Sequence, residues 1–261
     1  MMSLPLNSRF SRYVVSGQLG VGSTGEVYRC HDPVAGREVA LKILFPEDGV
    51  QDERTVAQFR EEALIMSSLV HSSIPEFYDS GTENGVHYIV SEFLDGARLA
   101  GPIKPPALIA IADQIAAGIM AMYHAGIIHR DLKPGNLIMV PEGRVKIIDF
   151  GTARRLTPEM AAEPDELASW QRLVHSEQLS FGMLLYELAT GKGPFKDRGT
   201  AHALSKLLGE QLLPLPSESQ FSLLEAVKLC AAEDGKHAEL LLTAMSLALS
   251  LAGASSPDLE T

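Results

Sequence analysis

The chain has 261 residues, 46% apolar and 21% charged, which suffices for one large domain or for two lobes packed around a cleft. With 33 acidic and 22 basic side chains, the net charge is −11 and the pI is near 5.2. That balance speaks against non-specific binding to nucleic acid or anionic lipid, and it leaves room for a local nucleotide-phosphate site.

Residues 1–10 lack the apolar stretch of a signal peptide, and the most apolar run, 240–252, is broken by Thr243, Ser246 and Ser250. The two cysteines, Cys30 and Cys230, lie far apart and in no metal-binding spacing. Reduced thiols, a cytoplasmic location, no membrane insertion and no nucleic-acid partner are therefore expected.

In chain order, residues 13–20, 25–30, 38–44 and 86–93 are rich in β-branched and aromatic residues and bounded by turn residues, so they predict strands. Between them, 53–69 places Val56, Phe59, Ala63, Met66 and Leu69 at helical spacing. After Gly96 the texture changes. Residues 105–124 predict a long helix, 137–140 and 145–148 two short strands, and 181–190, 221–232 and 237–252 further helices. The expectation is an α+β fold with a sheet-rich lobe, a larger helical lobe and a cleft between them. The tail, 253–261, is small and polar.

Gly20-Val21-Gly22-Ser23-Thr24-Gly25-Glu26-Val27 lies between two of the strand-like segments. Its glycines allow backbone N–H groups to approach phosphate oxygens where a Cβ would obstruct. A dinucleotide fingerprint would open into a helix here, and a Walker A loop would need Gly-Lys-Ser/Thr; neither fits. Val39-Ala40-Leu41-Lys42 then ends an apolar strand on a lysine, whose plainest reading is an edge lysine with its head in water. The strongest signal follows: His129-Arg130-Asp131-Leu132-Lys133-Pro134-Gly135-Asn136, and thirteen residues later Asp149-Phe150-Gly151 after an apolar strand.

These four motifs, in this order, resemble the eukaryotic-type Ser/Thr protein kinases, with a texture most similar to the bacterial ones. The resemblance implies a bilobal kinase domain over 1–261, with an N-lobe of about 1–95, a C-lobe of about 96–253 and a frayed tail. It implies ATP and magnesium, with manganese as a substitute, and a specific protein substrate. Asp131 would orient or accept the proton of the substrate hydroxyl, and Lys133 would steady the γ-phosphate. Lys42 would contact the phosphates, oriented by Glu62 rather than by its neighbour Glu61. Asn136 and Asp149 would hold metal, as oxygen donors suit a hard cation. Gly20, Val21, Gly22, Ser23, Thr24 and Gly25 would cover the phosphates. Val27, Ala40 and Ile138 would sandwich adenine, and the backbone of Glu92 to Leu94 would hydrogen-bond it. Ser91 falls at the gatekeeper position, and Phe77, Met66, His129 and Phe150 would stack as a regulatory spine.

Past Gly151 the likeness weakens. Only 27 residues separate Asp149 from Ser176, the Ala-Pro-Glu triplet is absent, and Glu177 replaces the Asp that usually braces the catalytic loop. The arginine that pairs with that triplet is missing too: the corresponding turn reads Glu233-Asp234-Gly235-Lys236-His237. Losing both members of a buried ion pair is physically consistent. The expectation is a shortened activation segment and a restructured C-lobe, with Glu163, Asp165 or Glu166 offered as a permanent carboxylate partner for Arg130. An active kinase with a narrow substrate range is the first reading. A nucleotide-binding pseudokinase or scaffold, working by conformational change, is the alternative.

Overall fold

In a computed structural model, residues 4–22, 25–44 and 52–191 are described. The helices expected over 221–232 and 237–252, the turn at 233–237, Cys230 and the tail lie outside the described residues. A six-stranded antiparallel sheet opens the chain, in the order β1-β2-β3-β4-β6-β5. Its strands are β1 (Arg9–Phe10), β2 (Tyr13–Gly22), β3 (Gly25–Asp32), β4 (Arg37–Leu44), β5 (Phe77–Glu83) and β6 (Val86–Glu92).

The sheet has two apolar environments because its residues alternate. Tyr28, Cys30, Val39, Leu41, Ile43 and Val90 are buried together with Tyr13 and Val15 in one core. The intervening residues Val27, Ala40 and Lys42 are only partly buried and lie in register on the opposite face. Burial pushes the Cys30 thiol up to about 12, so it behaves as an inert apolar side chain.

Helix α1 (Glu53–Ser67) packs beside the sheet; Asp52 caps it by accepting from the Thr55 N–H. Its buried residues Phe59, Ala63 and Met66 join a second core that continues into the helical half of the chain. There, α2 (Pro105–His124) starts on a proline, where a missing N–H costs nothing, and buries Leu108, Ile111, Ile115, Ile119 and Met122. Short pairs surround the catalytic loop: β9 (Leu137–Met139) lies between β7 (Ala97–Arg98) and β10 (Val145–Ile147), while β8 (Ile127–Ile128) pairs with β11 (Arg154–Arg155).

The segment after Gly151 departs from expectation. Instead of a loop leading to a helix near Ser176, α3 (Pro158–Ala162) is followed at once by α4 (Pro164–Thr190), a helix of 27 residues. Locally the reason is plain. Pro164 occupies the first turn, Asp165 and Glu166 complement the positive end of the helix dipole, and Gly191 closes the far end at φ +70. Trp170, Glu177, Phe181, Leu184, Leu185, Leu188 and Ala189 are among its buried residues, so the face expected to begin near Ser176 extends two turns upstream. Among the described residues, no helix is long and apolar enough to cross a membrane.

Candidate active site

The glycine motif forms the end of a hairpin. Gly22 pairs with Gly25 across β2 and β3, and Ser23 and Thr24 between them lie outside the described residues. Gly20, Val21 and Gly22 are exposed. Gly25 sits at φ +145, and a Cβ there would run into the Ile43 carbonyl oxygen, so the turn accepts only glycine.

Register then sets Lys42. It pairs with Val27 on one side and Ile89 on the other, and its ammonium leaves the partly buried face of the sheet. Glu62, one turn beyond Phe59 on α1, meets it with both oxygens, Nζ–Oε1 2.7 Å and Nζ–Oε2 2.8 Å. Burial pushes the Glu62 carboxyl up, and the Lys42 charge pulls against it. Its neighbour Glu61 turns outward to Arg154 (2.9 Å). Asp149 Oδ1 lies 3.8 Å from Lys42 Nζ. Gln58 of α1 donates to the Gly151 carbonyl, tying the helix to the residues that follow Asp149.

The catalytic loop is held by its own backbone and by α4. Asp131 accepts from Lys133 Nζ (2.6 Å) and from Asn136 Nδ2 (2.8 Å), and Asn136 Nδ2 also donates to the Asp131 carbonyl (2.9 Å). With its nitrogen so engaged, the Asn136 amide oxygen makes no hydrogen bond among the described residues and is free to ligate. Burial keeps His129 neutral: Nε2 donates to the Ile148 carbonyl (3.1 Å) and Nδ1 accepts from the Asp131 N–H (3.3 Å). The His129 ring also stands edge-on to Phe150 at 5.1 Å, and Phe150 belongs with buried Met66 to one extended core against which partly buried Phe77 packs. Arg130 and Asp149 both adopt positive φ, +70 and +69, unusual for non-glycine residues and typical of functional positions held by their surroundings.

At the sheet edge of the cleft, Glu92 N–H bonds to the Glu76 carbonyl, and Gly96 N–H bonds to the Leu94 carbonyl (3.0 Å). The Leu94 N–H has no partner among the described residues and remains available as a donor. Gly96 passes so close to β9 that a Cβ would strike the Met139 carbonyl and the Ile138 side chain. Ile138 is thereby kept beside the 92–96 segment.

Three contributors were not singled out from the sequence. Lys146 is buried and joins Glu92 Oε2 (2.7 Å) to the Ile74 carbonyl (3.1 Å), fastening the 92–96 segment to β10. Arg155 bonds to Ser68 at the end of α1. Tyr123 lies against Glu177. Lys146 carried a weak signal, a cation between the apolar residues Val145 and Ile147; the other two carried none. The expected carboxylate partner of Arg130 is not formed: among the described residues no acidic side chain comes within 4 Å of its guanidinium. Asp165 and Glu166 sit instead in the first turn of α4, and Glu163 at its N-cap.

The protein kinase domain family matches residues 13–230. The chain is 33% identical over 202 residues to the serine/threonine-protein kinase PrkC of Bacillus subtilis, covering 70% of this chain and 31% of the relative. It is 31% identical over 211 residues to PknL of Mycobacterium tuberculosis, covering 73% and 53%. With pkn2 of Myxococcus xanthus it shares 32% over 237 residues, covering 82% and 28%. The chain thus spans between about a quarter and a half of the length of these curated relatives. Motif order, sheet topology and the family match agree: the chain belongs to the protein kinase family.

Proposed function

We propose that this chain is a protein kinase domain, divided near residue 95, that uses ATP and magnesium to phosphorylate Ser or Thr on a specific protein partner. The observation that carries this reading is the closed Lys42–Glu62 pair at 2.7 Å beside Asp149, opposite an Asp131 already oriented by Lys133 and Asn136. A scaffold has no need of that arrangement.

In the reaction, the substrate hydroxyl oxygen bonds to the γ-phosphorus as the bond to the β-phosphate oxygen breaks. Asp131 accepts the hydroxyl proton or orients it, and Lys133 then meets the transferring phosphoryl group with its positive charge. Lys42, held by Glu62, draws the α- and β-phosphates into line, under backbone N–H groups of residues 20–25. Val27, Ala40 and Ile138 bracket the base, and Glu92 and Leu94 bond it through the backbone. Magnesium, or manganese in its place, neutralises phosphate charge when bound. Asp149 and Asn136 would hold it. No cluster of three or more His, Cys, Asp or Glu occurs among the described residues. That donor set fits an ion completed by phosphate oxygens and water, as magnesium prefers.

Phosphoamino-acid analysis after incubation with labelled ATP, magnesium, generic proteins and host lysate tests the assignment. Phosphoserine or phosphothreonine is the expected product; nucleotide binding with no labelled acceptor, the chain itself included, would favour the scaffold alternative.

Ser91 gives a second expectation. It pairs with Ala40 on β4 and with Phe77 on β5, at the back of the proposed adenine site, and its side chain is small. ATP-site inhibitors with a bulky substituent should bind the native chain and lose about 5- to 150-fold on Ser91→Met, by overpacking of about 1–3 kcal/mol. Equal competition curves for the two proteins would refute the placement.

A further inference from the structure

We propose that Tyr28 and Glu26 are positioning residues for the phosphates of ATP, clasping the two strands of the glycine hairpin from its outer face. The proposal rests on the kinase reading above and goes beyond it, adding a hold on the hairpin that its glycines do not supply.

The hairpin needs such a hold. Strand β1 pairs with β2 only at Tyr13 and Val14, so from Gly17 to Gly22 β2 has β3 as its sole strand neighbour among the described residues. Even that ladder is interrupted, with register shifts between Val15 and Gly17 and between Gln18 and Gly20. Shifts of this kind leave residues unpaired and add local twist. A two-stranded extension so loosely paired has many backbone arrangements, and few of them aim the N–H groups of Gly20 to Gly22 at one phosphate group.

A buried carboxylate closes the gap. Alternation along β3 puts Glu26 and Tyr28 on the face opposite Val27. Glu26 is 5% exposed, although Val21, which pairs with it across the hairpin, is 61% exposed. Its Oε2 accepts from Gln18 Nε2 of β2 (2.9 Å) and from the Tyr28 hydroxyl of β3. One oxygen thus spans both strands beside the second register shift. The Tyr28 hydroxyl accepts in turn from the Leu4 N–H (2.9 Å). The arm that carries Leu4 is itself fixed to β2, by Asn7 N–H to the Val15 carbonyl (2.8 Å) and Val15 N–H to the Ser8 carbonyl (2.9 Å). Leu4, Tyr28, Glu26 and Gln18 therefore form one hydrogen-bonded row that ties the hairpin to the arm.

Packing alone does not call for an acid here. Burying a carboxylate costs free energy, and an apolar residue would fill the same space without that cost. Such a residue would clasp neither strand. Burial, together with the bond to Glu26, pushes the Tyr28 hydroxyl up to about 12, so it stays a donor near neutral pH. The catalytic loop is held elsewhere, from α4, where Glu177 accepts from the Arg130 N–H. The clasp therefore acts on nucleotide binding and leaves the transfer step alone.

Titration can separate phosphate from base. The full chain is titrated calorimetrically with magnesium and a non-hydrolysable ATP analogue, and separately with adenosine. Tyr28→Phe keeps the ring in its core. It is expected to weaken the analogue about 3- to 10-fold, the worth of one net hydrogen bond, with adenosine unchanged. Gln18→Ala, at an exposed position, should weaken the analogue in the same direction. In turnover, KM for ATP should rise with the analogue's Kd while kcat holds. Native affinity for the analogue in either variant overturns the proposal. Equal losses for analogue and adenosine also overturn it, since a merely structural role would give that result. If the native chain binds the analogue no more tightly than adenosine, the hairpin holds no phosphate, and the nucleotide reading falls with the proposal. The expected split in a chain that transfers no phosphate would uphold the clasp and refute the kinase reading alone.

Discussion

Asp131→Asn is expected to lower phosphoryl transfer by about 10²- to 10⁴-fold, the range for loss of a positioned general base, with the affinity for ATP and magnesium unchanged. The geometry explains why the two effects separate. Asp131 touches neither the glycine hairpin nor Lys42, and its contacts are Lys133 at 2.6 Å and Asn136 at 2.8 Å. An asparagine retains one oxygen for those donors, and Asn136 keeps its bond to the residue-131 carbonyl. What disappears is the negative charge that attracts the hydroxyl proton. Single-turnover transfer alongside nucleotide titration checks this; a variant that transfers at the native rate would remove Asp131 from the chemistry.

Glu62→Gln should be nearly as damaging by another route. Glu62 is 4% exposed and receives both of its bonds from Lys42. With the charge gone, the ammonium has one acid left nearby among the described residues, Asp149 at 3.8 Å, and moves toward it. That shift draws Lys42 off the phosphates and occupies a proposed metal ligand. Loss of a charge-assisted hydrogen bond of about 1.5–3 kcal/mol corresponds to a fall in kcat/KM for ATP of about 10- to 100-fold. Glu61→Gln is the control. Its partner Arg154 and Glu61 itself are both substantially exposed, so the pair is worth about 1 kcal/mol or less and activity should hardly change. Equal losses from the two variants would mean that α1 is read in the wrong register.

The sheet half and the catalytic cluster were legible because their residue types answer to local constraints. Alternation along 38–44 marks a strand with one apolar face, Gly25 marks a turn that tolerates no Cβ, and Asp52 marks the start of α1. The strand Phe77–Glu83 was not anticipated: its sequence, Phe-Tyr-Asp-Ser-Gly-Thr-Glu, is polar and holds a glycine, and pairing with β6 rather than propensity makes it a strand. The start of α4 was missed for a different reason. Pro164, Asp165 and Glu166 are good first-turn residues, but likeness to a kinase loop led the expectation away from helix. Tyr123 and Arg155 were invisible because their roles depend on contacts 54 and 87 residues away along the chain, which no local pattern encodes. The proposed Arg130 partner failed similarly, since placing a carboxylate requires knowing where the helix that carries it begins.

The central claim is that these groups catalyse transfer and do not merely bind nucleotide. One sample settles it: the native chain saturated with labelled ATP and magnesium, in which bound nucleotide and covalently labelled protein are followed together over time. Bound ATP should be consumed as label accumulates on Ser or Thr of the chain or of an added acceptor. ATP that stays bound and intact, with no label transferred, would contradict the account.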